Sequence, residues 1–426
     1  MSYDKIILDL LKIQHMNIPF PLTPTTGTIK DEKIIGRDKD IINILKSLRA
    51  QSITVEEIRR MGKTLLLRKL EYQCNNDLIP EFSKDNFRAV YLSLQGKKNL
   101  GEVIELLIKK LSEFKKWYQI DFSKTYDLVR KITGAVKATA GSVDVSINLP
   151  ELKTSWKEIF FKLLEDISNT LEENDQKLIL ILDELPIMLW DWYKAERYDE
   201  AIELLDILRE RRQELEQKGL RFIYCGSIGI KVILQTLREE LAYTGEPTND
   251  MTEYNLKPFS VDESNFLMEC YILSGFQIYQ NEKTILLEKI NTLCNGLPFY
   301  IANLFIIIQN EFDNNITKES IEESYNLILN DPKYQKAFNQ LKERLETYYP
   351  KKAQLMMKIL SVISNTTNET EESEIISQIE DEDNIAKEIL YALVEDHYLG
   401  RRLEDGKRIY SFKYQIFKEW WRINIA

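Results

Sequence analysis

The chain has 426 residues, 44% of them hydrophobic, enough for two or three domains with proper cores. Its formal net charge of −11 argues against a surface built wholly for nucleic acid, although a local basic patch is compatible with it. Its two histidines, His15 and His397, are too few and too far apart in sequence to suggest a zinc site or a His-based triad, and no apolar run of about 18 residues exists to cross a membrane.

Residues 1–33 read as a lead-in: an amphipathic stretch, then Pro19-Phe20-Pro21-Leu22-Thr23-Pro24, which should be extended. The first residues carry acids and no small-residue cleavage site, unlike a secretory signal. The four cysteines (Cys74, Cys225, Cys270, Cys294) lack metal or disulfide spacing and read as reduced thiols of a cytoplasmic protein.

From about residue 34 strand-like runs alternate with helical patterns, as in an α/β domain with a mostly parallel sheet. The expected strands are 52–57, 88–94, 177–183 and 221–226, whose continuous apolar character suits burial on both faces. The first runs through a short loop, Arg59-Arg60-Met61-Gly62, into an apolar helix that begins Lys63-Thr64-Leu65. This is the layout of a phosphate-binding P-loop. Backbone N–H groups and the helix N-terminus cradle phosphate, Lys63 neutralises it, and the Thr64 hydroxyl ligates Mg²⁺. One position departs from Gly-x-x-x-x-Gly-Lys-Ser/Thr: Glu57 stands where the first glycine belongs. Pointing inward, its carboxylate would repel phosphate; pointing outward, or paired with Arg59 or Arg60, it would be nearly silent.

About eighty residues separate the second and third strands, more than one crossover helix needs, and 134–150 within them reads as a hairpin-like insertion. The third strand ends Leu182-Asp183-Glu184, a Walker B pattern in which Asp183 orders the Mg²⁺ shell and Glu184 activates water as general base. The fourth ends Cys225-Gly226-Ser227, where the Ser227 hydroxyl serves as a sensor of phosphate or water, or as a helix cap.

Beyond about 255 the strand signal stops. Ser260-Val-Asp-Glu263 is a capping box, and helical patterns run to about 345 as an all-helical lid. The last eighty residues are helix-rich and close with a hairpin turning at Glu404-Asp405-Gly406. Trp420-Trp421 beside Phe417 reads as core in preference to an exposed docking patch.

Taken together in chain order, Ile35-Gly36-Arg37, the Arg59–Thr64 loop, Asp183-Glu184, Gly226-Ser227 and Gly296-Leu297-Pro298 resemble the AAA+-related STAND ATPases of archaeal type. The ending Tyr410-Ser-Phe412…Trp420-Trp421 also resembles their C-terminal winged-helix domain, so the resemblance spans about residues 34–424. It implies a P-loop NTPase parallel sheet at 34–254 (with an insertion near 100–155), a helical lid at 255–345 and a winged helix at 346–426. It further implies that Ile35, Gly36 and Arg37 line the adenine pocket and that Pro298 touches nucleotide; a proline at the first helical position would explain Pro298 equally. Arg209, Arg211 and Arg212 are arginine-finger candidates, or the solvated face of a helix. Related switch proteins place an ADP-sensing histidine near the segment corresponding to Phe412-Lys413-Tyr414, where this sequence has none.

The resulting expectation is an ATP-binding, ATP-hydrolysing switch with Mg·ATP between core and lid, acting on its own assembly or on a separate effector protein, in a setting such as prokaryotic antiviral defence or signalling. The alternatives are a nucleotide-locked scaffold that does not turn over, favoured by Glu57, and a winged-helix DNA-binding factor. From Tyr398 to Ala426 there are seven basic and three acidic residues, but the segment that would enter a major groove begins Asp381-Glu382-Asp383, which disfavours DNA.

Overall fold

The computed structural model describes residues 18–113, 124–125, 127–128, 131, 156–367, 369–379 and 383–426; the expected hairpin at 134–150 lies outside them. Two units emerge from the packing: one of Asp38–Glu56 and Lys63–Leu256, the other of Lys257–Ala426 with the segments preceding Asp38 and the short stretch Glu57–Gly62.

The first unit is α/β. Helix α1 (Asp38–Ala50) buries Ile41, Ile44, Leu45 and Leu48, one stripe at helical spacing. Strand β1 (Ile53–Glu56) is buried throughout, and α2 (Lys63–Asn75) follows the loop. Then come β2 (Phe87–Ser93), α3 (Leu100–Glu113), α4 (Trp156–Glu173), β3 (Lys177–Asp183), α5 (Leu185–Lys194), α6 (Tyr198–Leu215), β4 (Leu220–Cys225), α7 (Ile230–Leu241) and β5 (Thr252–Asn255). The five strands form one parallel sheet in the order β2-β3-β4-β1-β5. Four of them match the expected apolar runs. The fifth, Thr-Glu-Tyr-Asn, was invisible because an edge strand this short and exposed carries no apolar pattern.

The second unit is mainly helical. It contains α8 (Val261–Ile272), β6 (Gln277–Ile278), α9 (Lys283–Cys294), α10 (Pro298–Glu311), β7 (Asn315–Ile316), α11 (Lys318–Asn330), α12 (Lys336–Tyr348) and α13 (Ala353–Asn365). After these come β8 (Thr370–Glu371), α14 (Glu372–Ser377), α15 (Asp383–Glu395), the hairpin β9 (Leu399–Glu404) and β10 (Lys407–Phe412), and α16 (Gln415–Asn424). Ser260 and Glu263 cap α8 reciprocally, as the sequence indicates. The hairpin turns on Asp405 and Gly406, both with positive φ, which suits a tight primed turn.

An aromatic cluster joins α10, α12 and α16. Phe338 of α12 lies 4.9 Å from Tyr300 of α10 and stacks at 5.4 Å on Trp420 of α16. Trp420 and Trp421 are 1% and 0% exposed, so the tandem tryptophans anchor the C-terminal helix and form no docking patch. The proline-rich lead-in is extended, burying Phe20 and Leu22 while the Leu22 N–H donates to the Cys270 carbonyl at 3.0 Å.

Candidate functional site

Within the α/β unit, register decides which side chains meet. Asp183 pairs with Ser93 on one side and Cys225 on the other, so β2, β3 and β4 finish level at their carboxyl ends. At that edge the Thr64 hydroxyl, in the first turn of α2, donates to Asp183 Oδ2 at 2.9 Å. The same oxygen accepts the Tyr91 hydroxyl at 2.6 Å. Burial and the neighbouring Asp183 charge push the Tyr91 pKa up, so the phenol stays protonated and keeps donating. Asp183 is 2% exposed and Lys63 is 7% exposed, whereas Thr64 is exposed.

Glu184, the next residue, takes the left-handed conformation (φ 60°) before α5 begins. Its Oε2 accepts two hydrogen bonds from Ser227: the backbone N–H at 2.8 Å and the hydroxyl at 3.0 Å. Ser227 is thus tied to the acidic side chain beside it, a partner that neither the phosphate-sensor nor the helix-cap reading named. Gly226 lets this happen. A Cβ there would stand 2.7 Å from Pro186 Cδ and 3.0 Å from the Ile228 carbonyl oxygen. Gly226→Ala should therefore cost about 1–3 kcal/mol by overpacking, measurable in urea unfolding.

Arg212, a finger candidate, lies in the interior of this unit at 1% exposure. It donates to the Tyr224 hydroxyl at 2.9 Å and the Pro247 carbonyl at 2.8 Å, and pairs with Asp250. It is neither a projecting finger nor part of a solvated face.

Within the second unit, the Ile35-Gly36-Arg37 segment is built by backbone geometry. Gly36 and Arg37 both have positive φ, and a Cβ on Gly36 would come within 3.0 Å of Phe259 and 3.1 Å of Glu263 Oε1. The Arg37 N–H donates to Glu263 at 2.8 Å. Its guanidinium lies over the Phe259 ring and donates to the carbonyls of Lys257 (2.6 Å) and Met61 (2.7 Å). Ile35 is buried at 7% exposure. The Arg37 side chain therefore braces the loop through Met61.

The loop Glu57–Gly62 belongs to this unit by its packing and enters Lys63 through one peptide bond. Arg60 (φ 71°) and Gly62 (φ 86°) supply its left-handed turns. The Arg60 guanidinium sits 4.6 Å over the Phe299 ring, and burial, then the charge of Arg59, lower its pKa. Pro298 occupies the first turn of α10 beside Phe299, the position proline favours for backbone reasons alone. Leu65 is half-buried in the first turn of α2.

Glu57 does not pair with Arg59 or Arg60. Its side chain is 1% exposed, and Oε2 receives Lys413 Nζ at 2.6 Å, from a residue 356 positions away. Oε1 accepts the Ile58 N–H at 3.1 Å and lies 3.9 Å from His397 Nδ1, which is 3.0 Å from Lys413 Nζ. So a histidine does stand beside the Phe412–Tyr414 segment, brought there from before β9. No local signal announced Lys413, His397 or Tyr91, because their partners are distant in sequence.

A five-stranded parallel sheet in this order, with Lys63-Thr64 heading the helix after β1 and Asp183 closing β3, is the AAA+ type of P-loop ATPase fold. The Walker-type ATPase of Pyrococcus abyssi has a similar fold, with a TM-score of 0.60 and 18% identity over 95% of this chain and 99% of its own. Also similar are the ORC2 protein of Aeropyrum pernix in ADPNP–ADP complexes (TM-score 0.48, 12% identity, 92% and 95% coverage) and the RuvB Holliday junction branch migration motor of Thermotoga maritima (TM-score 0.36, 11% identity, 90% and 94% coverage). No protein-family model matches the sequence, and no curated protein matches it.

Proposed function

We propose that this chain binds and hydrolyses ATP with Mg²⁺, as a nucleotide switch of the STAND type. The observation that carries the reading is the joined pair Thr64–Asp183, with Glu184 one residue on and held by Ser227. A hydroxyl and a carboxylate in direct contact at the head of a P-loop helix are the hard oxygen donors that Mg²⁺ takes alongside phosphate and water. When bound, the ion neutralises charge on the β- and γ-phosphates. Lys63 adds a positive charge at the same helix N-terminus, and the backbone N–H groups of 59–65 donate to phosphate oxygens. Ile35, Gly36, Arg37 and Pro298 are proposed to bound the nucleoside. Glu184 is the general base, accepting the proton of the attacking water, and Ser227 positions it.

The scaffold reading rested on Glu57, and the pairing of that carboxylate with Lys413 weakens it. The winged-helix reading of 346–426 is supported by the β8–β10–β9 sheet among α13, α14 and α15. In its hairpin Arg402 pairs with Glu369 and Glu404, Lys407 with Glu371 at 2.8 Å, and Arg408 with Glu372 at 3.2 Å. That favours a protein-facing module over a DNA-binding one. The output we propose is control of self-assembly or of a separate effector protein, in a prokaryotic defence or signalling setting.

The test is denaturing extraction of the purified protein, ion-exchange analysis of released nucleotide, and turnover with and without EDTA. Bound adenine nucleotide with turnover lost on chelation is the expected result. Nucleotide without turnover would leave only the scaffold, and no binding would overturn the proposal.

A further inference from the structure

We infer that Lys413 is a positioning residue for nucleotide binding: its ammonium neutralises the Glu57 carboxylate and holds it away from the phosphates. Nucleotide affinity then depends on the docked state of the C-terminal hairpin. This rests on the nucleotide-binding reading above and deepens it.

Glu57 is the residue directly after β1, at the head of the loop that would cradle phosphate. An acid there is tolerable only if its charge is matched and its direction fixed, since a desolvated carboxylate beside a polyphosphate repels it. Both conditions are met from within the second unit. Oε1 folds back onto the Ile58 N–H at 3.1 Å, which sets the rotamer, and Oε2 meets Lys413 Nζ at 2.6 Å. Glu57 is not among the residues with positive φ, so the backbone carries a side chain here without strain.

Lys413 is itself placed by the hairpin. It follows β10 directly, and its N–H donates to the Tyr398 carbonyl at 3.0 Å, closing the base of the β9–β10 ribbon. His397 Nδ1, 3.0 Å from the ammonium, fixes its other side. Tyr414, the next residue, has its pKa raised by burial and then by the Glu57 charge, so it adds no second anion to the cluster. The hairpin therefore delivers one cation to the one acid of the loop. If the hairpin withdrew, Glu57 would lose the Lys413 charge at the head of the phosphate cradle and affinity would fall. By reciprocity, nucleotide binding would favour the docked hairpin by the same factor.

The experiment is a double-mutant cycle on the full chain, with ADP and ATPγS affinities measured by calorimetry for wild type, Lys413→Met, Glu57→Gln and the double variant. Lys413→Met should weaken binding by about 10-fold or more, the scale of one lost charge neutralisation. Glu57→Gln/Lys413→Met should return to within about 3-fold of wild type, because the charge that needed matching is gone. Rescue separates this from a structural role, since a variant that merely unfolds the hairpin is not repaired at Glu57. Hydrogen exchange over 57–62 and 399–413 gives a second readout and should rise in both segments in Lys413→Met alone. Unchanged affinity in Lys413→Met, or a double variant as weak as the single, overturns the inference while the nucleotide reading stands. A wild type that binds neither ligand overturns both.

Discussion

Glu184→Gln should lower ATP turnover by roughly 100- to 1,000-fold, about 3–4 kcal/mol in the barrier, while bound nucleotide is retained. The amide oxygen of glutamine can still accept both hydrogen bonds from Ser227, at 2.8 and 3.0 Å in the parent, so the side chain should stay in place. What it loses is the ability to take a proton from water. The expected pattern is therefore a fall in kcat with little change in nucleotide affinity, read by turnover and calorimetry together. A large loss of affinity would instead mark Glu184 as a packing residue of the β3–α5 turn. Full activity would move the base elsewhere.

Arg212→Met should act on stability and leave the turnover of each folded molecule unchanged. The guanidinium is 1% exposed and shared between Tyr224, Pro247 and Asp250. Burial works against its charge, but Tyr224 and Asp250 prevail and raise its pKa. Removing it strands the Tyr224 hydroxyl and the Asp250 carboxylate. Because Asp250 keeps 28% of its side chain exposed, the loss should be about 2–4 kcal/mol, somewhat below that for a wholly buried pair. Urea unfolding read against turnover decides it: a finger would lose activity at normal stability, and Arg212 should do the reverse.

Much of the fold was legible because its signals are local. The runs 177–183 and 221–226 are apolar enough to announce central strands, Gly62-Lys63-Thr64 leads into the helix after β1, and Asp183-Glu184 stands at the end of β3. The capping box at Ser260 and the turn at Asp405-Gly406 were equally readable, being set by neighbours within a few residues. What escaped was whatever depends on partners distant in the chain. Arg212 sits in a stretch whose composition suggests solvent, yet Tyr224 and Asp250 draw it inside. Tyr91 looks like an ordinary strand aromatic until β2 and β3 are in register. Glu57 was recognised as the anomaly, but its partner could not be read from a window of residues around it.

The loop 57–62 interrupts the α/β unit in sequence while packing with residues beyond 256. Met61 is held by Arg37, Arg60 rests on Phe299, and Glu57 is paired with Lys413. A gene fragment ending at Leu256 would thus encode every strand of the sheet, the Lys63-Thr64 motif and Arg37, but omit Phe299 and Lys413, the partners of Arg60 and Glu57 in the loop leading into that motif. For anyone dissecting this protein, the smallest piece worth assaying for nucleotide runs on through the C-terminal hairpin. For selection, changes around residues 397–413 fall on the same trait as changes in the loop, so the two stretches should drift together.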